Sequence, residues 1–192
     1  MANTRLLMNI LIVATLLSTA CGEGFKNPFD ENMEGSLGGQ SIYRGVQITF
    51  YGYDDNDDGT GNLGSNAIAM PGFHKVATED LGTYEQPSTL AAARSFGPKG
   101  TRVYIPKYRK YYILEDVCGA CAKDAAVGKT RVDLFVGGNT GLQGPTLRQC
   151  QYSLTKSGYQ DVIIVNPSPN WPVASGPLYK DGVCNTTTYE VP

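Results

Sequence analysis

Five segments of the chain alternate apolar and polar residues, or carry runs of β-branched and aromatic residues, as β-strands do. These segments are residues 45–51, 101–105, 111–116, 131–136 and 161–165. Gly100 and Pro106 bound the second segment and break the pattern at its two ends. Residues 90–94 fit either a further strand or a short helical turn. Short strands separated by glycine-containing turns predict a small closed all-β barrel.

The two ends of the chain depart from this pattern. Residues 1–20 combine a short basic start, an apolar run and small residues before Cys21, which predicts a signal peptide and export. Residues 21–41 are rich in Gly, Asn and Glu and predict a flexible tether, which leaves residues 42–192 for the barrel domain. The prolines beyond about residue 167 predict an extended C-terminal tail.

The destination of the exported chain stays open at this point. If the host is bacterial, residues 17–21 resemble a lipobox, and Cys21 would carry a lipid anchor. Otherwise the protein is secreted without an anchor. The apolar run is too short to span a bilayer as a helix.

Composition and charge narrow the function classes. The chain has 192 residues, of which 41% are hydrophobic and 18% charged, which suits one folded domain and argues against disorder. Its formal net charge is -2. A nucleic-acid partner is therefore not expected, because binding phosphates needs a basic face.

Four cysteines in the predicted barrel domain are candidates for disulfides, because an exported chain meets an oxidising compartment. They are Cys118, Cys121, Cys150 and Cys184. Four cysteines allow three pairings, and we expect Cys118 and Cys121 to be joined to Cys150 and Cys184. A structural zinc site needs a second closely spaced pair of ligands, and His74 is the only histidine. We therefore expect no metal and no cofactor.

Two aspartates in predicted strands are candidates for acid chemistry. Asp133 lies between Val132 and Leu134, so strand alternation places it on the opposite face from both. A carboxyl among apolar strand residues is partly desolvated, which raises its pKa and suits a general acid near neutral pH. The alternative is a surface carboxylate on an exposed strand face, paired with Arg131 or a lysine. Asp116, at the end of another strand, fits either a site residue or a turn cap.

An acidic run, residues 54–58, follows the first predicted strand. Asp54, Asn56 and Asp58 have the spacing of half a calcium loop, but Ser65 stands where such a loop closes with glutamate. A solvated turn is the better interpretation, with Asp54 or Asp55 available to face a cleft.

Aromatic residues in the second and third predicted strands have two interpretations. Tyr104 and Tyr112 interleave with basic residues, and aromatic rings both stack on sugars and pack in cores. We include both tyrosines among the candidate substrate-binding residues.

Three of these segments, taken in order, resemble a known family. Residues 100–106, 112–116 and 131–135 are similar to the three-aspartate domain of the double-psi β-barrel superfamily. This superfamily includes membrane-bound lytic transglycosylase A, RlpA-like proteins, expansins, barwin and family 45 endoglucanases. Residues 49–52 also resemble the opening strand of expansins. The resemblance covers about residues 45–165.

The resemblance implies a six-stranded double-psi β-barrel with long loops and a polysaccharide-binding groove. Asp133 matches the acid or acid/base of the transglycosylases and endoglucanases, and Asp116 matches the second of the three aspartates. The first aspartate falls near Ala93, so the chain departs from the family pattern there. Thr49 and Tyr51 match groove-lining positions.

The expected function is action on cell-wall polysaccharide, with Asp133 as general acid. An endoglucanase-type base would have to come from Asp54 or Asp55. The polymer is peptidoglycan, cellulose, another β-glucan or chitin, and the protein is expected to be a monomer. The alternatives are a non-catalytic expansin-like or barwin-like wall-binding module, and an inhibitor or effector that binds a protein on the same fold.

Overall fold

A computed structural model describes residues 33–37, 39–138 and 144–191 of the chain. The predicted signal peptide, Cys21 and the first part of the predicted tether lie outside these residues. The elements in chain order are β1 (Met33–Leu37), β2 (Gln40–Tyr51), β3 (Ser88–Ala92), β4 (Arg102–Ile105), β5 (Lys110–Val117), α1 (Gly119–Ala125), β6 (Thr130–Phe135), α2 (Gly144–Leu154), β7 (Asp161–Val165), β8 (Tyr179–Lys180) and β9 (Val183–Cys184).

Six of the strands form a closed barrel. Their order around the ring is β2, β6, β3, β5, β4 and β7, and β7 pairs again with β2. Strand β2 runs parallel to β6, and β3 runs parallel to β5, while the other neighbours in the ring are antiparallel. Strand β1 pairs with the start of β2 outside the ring. The predicted all-β fold and its closed six-stranded barrel are confirmed.

The five predicted strands are confirmed as β2, β4, β5, β6 and β7. Residues 88–92 form strand β3 rather than a helical turn. Part of the predicted tether is also strand, because β1 pairs antiparallel with residues of β2 from Gln40 onward. Composition alone did not reveal this partner, which supplies the backbone hydrogen bonds that a tether would leave to water.

Alternate side chains of the barrel strands fill its interior. The largest of those that are fully buried include Ile48, Leu90, Tyr112, Leu114 and Leu134. Helix α2 closes one side of this core with Leu147, Cys150 and Leu154, whose spacing places them on one helical face. Sequence patterning did not predict α2.

The C-terminal tail is fastened to the outside of the barrel. The buried ammonium of Lys110, 2% exposed, donates hydrogen bonds to the carbonyl oxygens of Ala174 (3.3 Å) and Gly176 (2.5 Å). The Tyr111 hydroxyl donates to the Ser168 carbonyl at 2.7 Å. Residues 168–176, which we call the tail segment, are therefore a packed part of the fold, and they shield Lys110 from solvent.

Two disulfides are present, but their pairing differs from the expected one. Cys118 is joined to Cys121, with Cα atoms 5.1 Å apart, and Cys150 is joined to Cys184. Cys118 is the N-cap of α1, and the first turn of this helix brings Cys121 back beside it. The second disulfide anchors the end of the tail to α2.

Among the described residues, no helix has both the length and the apolar character to cross a bilayer. Two formed disulfides are compatible with an oxidising, extracellular location.

Removing the Cys150–Cys184 disulfide is expected to destabilise the protein. This crosslink spans 34 residues of sequence, so breaking it frees a long loop in the unfolded chain. The Cys150→Ala/Cys184→Ala variant should lose about 2–4 kcal/mol of unfolding free energy in guanidinium denaturation without reductant. A loss below about 1 kcal/mol would contradict the tail anchor.

Candidate functional site

Four residues line up across four neighbouring strands of the barrel. In the pairing register, Thr49 of β2 lies opposite Asp133 of β6, Asp133 lies opposite Ala91 of β3, and Ala91 lies opposite Asp116 of β5. Directly paired residues point to the same face of a sheet. We call this line, on the outer face of the barrel, the acid row.

The acid row depends on a β-bulge in β5. Leu90 pairs with Leu114, but the next residue of β3, Ala91, pairs with Asp116, so Glu115 is the extra residue. Without this bulge, strand alternation would turn Asp116 to the same face as the buried Leu114. The bulge instead places Asp116 on the outer face, in line with Asp133 across β3.

The spacing of the acid row separates its two carboxyls by one strand. Neighbouring strands lie about 4.8 Å apart, so the Cα atoms of Asp133 and Asp116 are roughly 10 Å apart. Ala91, which lies between them, is buried at 3% exposed.

The side chain of Asp133 is partly exposed, and its environment favours the neutral acid. Burial raises the pKa of Asp133 to about 7, and the nearby charges of Asp55 and Asp116 add to this rise. The Thr49 hydroxyl donates a 2.8 Å hydrogen bond to Asp133 Oδ1, which partly opposes the rise and orients the carboxyl. Asp133 can therefore hold or release a proton near neutral pH.

Asp116 is more deeply buried, at 5% exposed, and both its oxygens accept hydrogen bonds. Oδ1 accepts from the backbone N–H groups of Ala69 (2.9 Å) and Val117 (2.8 Å), and Oδ2 accepts from the Tyr51 hydroxyl (3.0 Å). Burial raises the pKa of Asp116 above its usual value, although these hydrogen bonds oppose the rise. Burial and then the Asp116 charge also raise the pKa of Tyr51, which keeps its phenol protonated.

A cavity of about 290 Å³ adjoins the Asp116 end of the acid row. Its lining includes Asp57, Arg94 and residues 67–69. The structure brings Thr49, Tyr51, Asp116 and Asp133 onto one side of the barrel, and of these four residues Asp116 lines the cavity.

The charge of Asp55 raises the pKa of Asp133, and its side chain also anchors the acidic loop, residues 54–58. Its Oδ1 accepts hydrogen bonds from the Gly52 N–H (2.9 Å) and from Gln151 Nε2 of α2 (3.1 Å). Gly52 must be glycine for this approach, because a Cβ there would lie 2.8 Å from the Gly137 carbonyl oxygen. Asp54 instead lies near Tyr179, whose pKa is raised by burial and then by the Asp54 charge.

The rest of the acidic loop binds its own backbone. Asn56 Nδ2 donates to the carbonyls of Ser65 and Ala67, and Asp58 accepts from the backbone N–H of Thr60 at 2.8 Å. The described residues contain no group of three or more histidine, cysteine or acidic side chains able to hold a metal ion.

Tyr104 and Tyr112 are not brought to the acid row. Tyr112 is fully buried in the barrel interior, and Tyr104 packs under Trp171 on the outside of β4. Alternation along a strand shows only which face of the sheet an aromatic ring is on. It does not show whether that ring lines a groove or is covered by another segment.

The sequence analysis did not single out Glu115, the extra residue of the bulge, or its contact with His74. The Glu115 carboxylate accepts hydrogen bonds from the His74 backbone N–H (2.8 Å) and from the Thr89 hydroxyl (3.1 Å), and it also contacts His74 Nδ1. These contacts hold residues 66–80 against β3 and β5. The signal in the sequence was the adjacent pair Glu115 and Asp116, because two consecutive acids in an apolar strand do not fit simple alternation.

A second missed carboxyl, Glu79, lines a cavity of about 440 Å³ with Phe135 and Tyr179. Burial raises the pKa of Glu79 to about 7, although the N–H groups of Leu178 and Tyr179 oppose the rise. Leu178 N donates to Glu79 Oε1 at 2.5 Å, so this carboxyl also holds the polypeptide that follows the tail segment.

Comparison with known proteins places the chain in a family. The sequence model of the family described as the DDB_G0273701 N-terminal domain matches residues 43–185. The chain belongs to this family. The matched range contains the acid row and all of the barrel except the first three residues of β2.

The chain is also similar to a relative from Dictyostelium discoideum, the uncharacterised protein DDB_G0273701/DDB_G0273221. The two are 37% identical over 118 residues, which cover 61% of this chain and 49% of the relative. The matched region thus spans about half the length of that relative. No solved structure matches this chain.

Replacing Asp133 should change how stability depends on pH. The folded-state pKa of Asp133 is about 7, whereas an unfolded aspartate titrates near pH 3.9. Between these values the folded protein holds the extra proton, so the wild type loses stability as pH rises. Asp133→Asn removes this loss, and the variant should gain about 1–3 kcal/mol relative to wild type between pH 4 and pH 8, after allowance for solvent screening.

Denaturant unfolding of both proteins at these two pH values measures the difference. Glu79 also has a raised pKa, but it is present in both proteins, so its contribution to the pH dependence of stability cancels in the difference. A constant difference between the variant and the wild type would contradict the raised pKa of Asp133.

Proposed function

We propose that this protein is an exported member of the double-psi β-barrel superfamily that binds cell-wall polysaccharide over the acid row, and that it cleaves or loosens the glycan with Asp133 as general acid. The observation that carries the proposal is the partly exposed Asp133 carboxyl, whose pKa of about 7 keeps a transferable proton near neutral pH. The predicted signal peptide and the two disulfides support export.

Thr49 prepares Asp133 for the approach of the glycan. The Thr49 hydroxyl holds Asp133 in one orientation, which lowers the cost of ordering the acid when a glycosidic oxygen approaches. Asp133 would donate its proton to the oxygen of the scissile bond as that bond breaks.

Asp116 is a positioning residue in this proposal. Its charge raises the pKa of Asp133, and its Oδ2 holds the Tyr51 hydroxyl at the edge of the row. Because both oxygens of Asp116 already accept hydrogen bonds, this carboxylate is poorly placed to activate water. A reaction that needs only one acid/base, in which a hydroxyl of the sugar itself attacks, fits this arrangement better than inverting hydrolysis, which needs a second carboxylate as base.

The same hydrogen bonding of Asp116 favours one other function. A protein that binds the polymer and loosens it without cleavage needs no base at all. Release of soluble fragments distinguishes the two functions, and retention on insoluble polymer distinguishes both from a protein-binding module.

Asp133→Asn should abolish product release. Wild type and variant would be incubated separately with peptidoglycan, cellulose, β-glucan and chitin, and mass spectrometry would detect soluble fragments. General acid catalysis contributes about 10²–10⁴-fold in rate, so the variant should release at least about 100-fold less product. Anhydro ends would indicate attack by the sugar, and incorporated water would indicate hydrolysis.

Glu85→Gln is the matched control, because it also neutralises one carboxylate but at an exposed position outside the acid row. This control should release as much product as the wild type. Equal product from Asp133→Asn and wild type would contradict the acid role. Retention on one polymer without any fragments would indicate the loosening function instead.

The pH dependence of cleavage should follow the protonation of Asp133. A general acid acts while it is protonated, so kcat/KM should fall as pH rises through about 7, the pKa of Asp133. Asp116→Asn removes a negative charge beside Asp133, so its alkaline limb should shift to lower pH. Initial rates of wild type and Asp116→Asn between pH 4 and pH 9 measure both effects. A wild-type kcat/KM that stays the same up to pH 9 would contradict the assignment.

A further inference from the structure

A second line of paired residues crosses the other half of the barrel. Ile42 of β2 pairs with Ile164 of β7, Ile164 pairs with Tyr104 of β4, and Tyr104 pairs with Tyr111 of β5. These side chains form a small aromatic and aliphatic cluster that is separate from the main core, and Trp171 of the tail segment packs against it. Because β4 and β7 lie across the ring from β6 and β3, this cluster and the acid row occupy different sides of the barrel.

The indole of Trp171 is held in one orientation and remains partly exposed. One face stacks on the Tyr104 ring, with centroids 5.4 Å apart and planes 22° apart. The indole Nε1 donates to Gln40 Oε1 at 3.1 Å, and the backbone N–H of Trp171 donates to the Tyr111 hydroxyl at 2.9 Å. With its edge and one face fixed, the ring is preorganised, which lowers the entropy cost of binding a ligand against it.

A cavity of about 370 Å³ opens beside this indole. Besides Trp171 and Tyr104, its lining contains two prolines, one aliphatic residue and two groups of opposite charge, Arg109 and Glu190. The Arg109 guanidinium lies 4.2 Å from the centroid of the Tyr189 ring, which keeps it beside the cavity. A mostly apolar lining with a few fixed polar groups is the usual composition of a small-molecule site.

The chemistry of this lining selects a neutral polyhydroxylated ligand. A flat aromatic surface accepts the apolar C–H face of a pyranose ring. A guanidinium donates hydrogen bonds to hydroxyl oxygens, and a carboxylate accepts them from hydroxyl hydrogens. Because Arg109 and Glu190 have opposite charges, neither an anionic nor a cationic ligand is favoured over a neutral one.

We propose that this cavity is a second glycan-binding site, in which a neutral sugar unit stacks beside Trp171 and its hydroxyls bind Arg109 and Glu190. The inference rests on the proposed function, since the polymer acted on at the acid row would supply the sugar. Its position on another side of the barrel means that it contacts a different segment of polymer. Engagement of both sites would strengthen retention through effective concentration.

Intrinsic fluorescence tests this site directly, because Trp171 is the only tryptophan in the sequence. Wild type and Asp133→Asn would be titrated with soluble cello-oligosaccharides, chito-oligosaccharides and β-1,3-gluco-oligosaccharides. We expect a saturable change in Trp171 emission with at least one probe, and the same change in Asp133→Asn. Loss of the charged hydrogen bonds should weaken the apparent affinity of Arg109→Gln and Glu190→Gln by about tenfold or more.

Arg148→Gln is the matched control, because it removes an exposed arginine on α2 that does not line the cavity. It should titrate as the wild type does. Near-UV circular dichroism checks that each variant keeps its aromatic packing. These variants leave Trp171 in place, so the test does not depend on a substitution that uncovers the cluster.

Three outcomes separate this inference from the proposed function. No emission change with any probe, together with Asp133-dependent product release, would overturn the second site and leave the proposed function intact. An emission change that is equal in Arg109→Gln and wild type would also overturn it. A saturable change that Arg109→Gln loses, without product release, would support the site and contradict cleavage.

Discussion

The β-bulge at Glu115 is the constraint on which the candidate site depends. A regular β5 would alternate Leu114, Glu115 and Asp116 between faces and would direct Asp116 into the barrel. The extra residue turns Glu115 and Asp116 to the outer face together. Glu115 is stabilised there by His74 and Thr89, and Asp116 completes a line with Asp133. The bulge thus links the packing of residues 66–80 to the geometry of the acids.

Partial burial then determines the chemistry of this line. Asp133 loses enough solvent for its pKa to rise to about 7, yet it stays accessible. Asp116 is more buried and is surrounded by donors, so its hydrogen bonds support the position of the loop and of Tyr51. Two aspartates in similar strand contexts therefore have different surroundings, because Asp133 is partly exposed whereas both oxygens of Asp116 accept hydrogen bonds.

The tail segment covers the apolar cluster on the side of the barrel away from the acid row. Lys110 and Tyr111 fasten it through backbone carbonyls, and Trp171 covers the outer ring of Tyr104. The Cys150–Cys184 disulfide holds the chain beyond it. The same contacts that satisfy buried polar groups also leave an ordered indole at the surface.

Local sequence was sufficient for five of the six barrel strands and for the position of Asp133 within one of them. Residues 131–136 and 161–165 alternate or are continuously apolar, and these patterns depend only on near neighbours in the chain. An aspartate between two apolar strand residues is visible in the same way. The presence of two disulfides followed from four cysteines in a chain predicted to be exported.

Tertiary structure decided which residues meet. The bulge at Glu115, the pairing of Cys118 with Cys121, and the burial of Tyr104 and Tyr112 depend on register, helix capping and distant cover. Strand β1 appeared only through its partner β2. Periodicity reports which face of an element a residue occupies. Segments far along the chain determine what packs on that face. They therefore decide whether an acidic side chain there is exposed or buried.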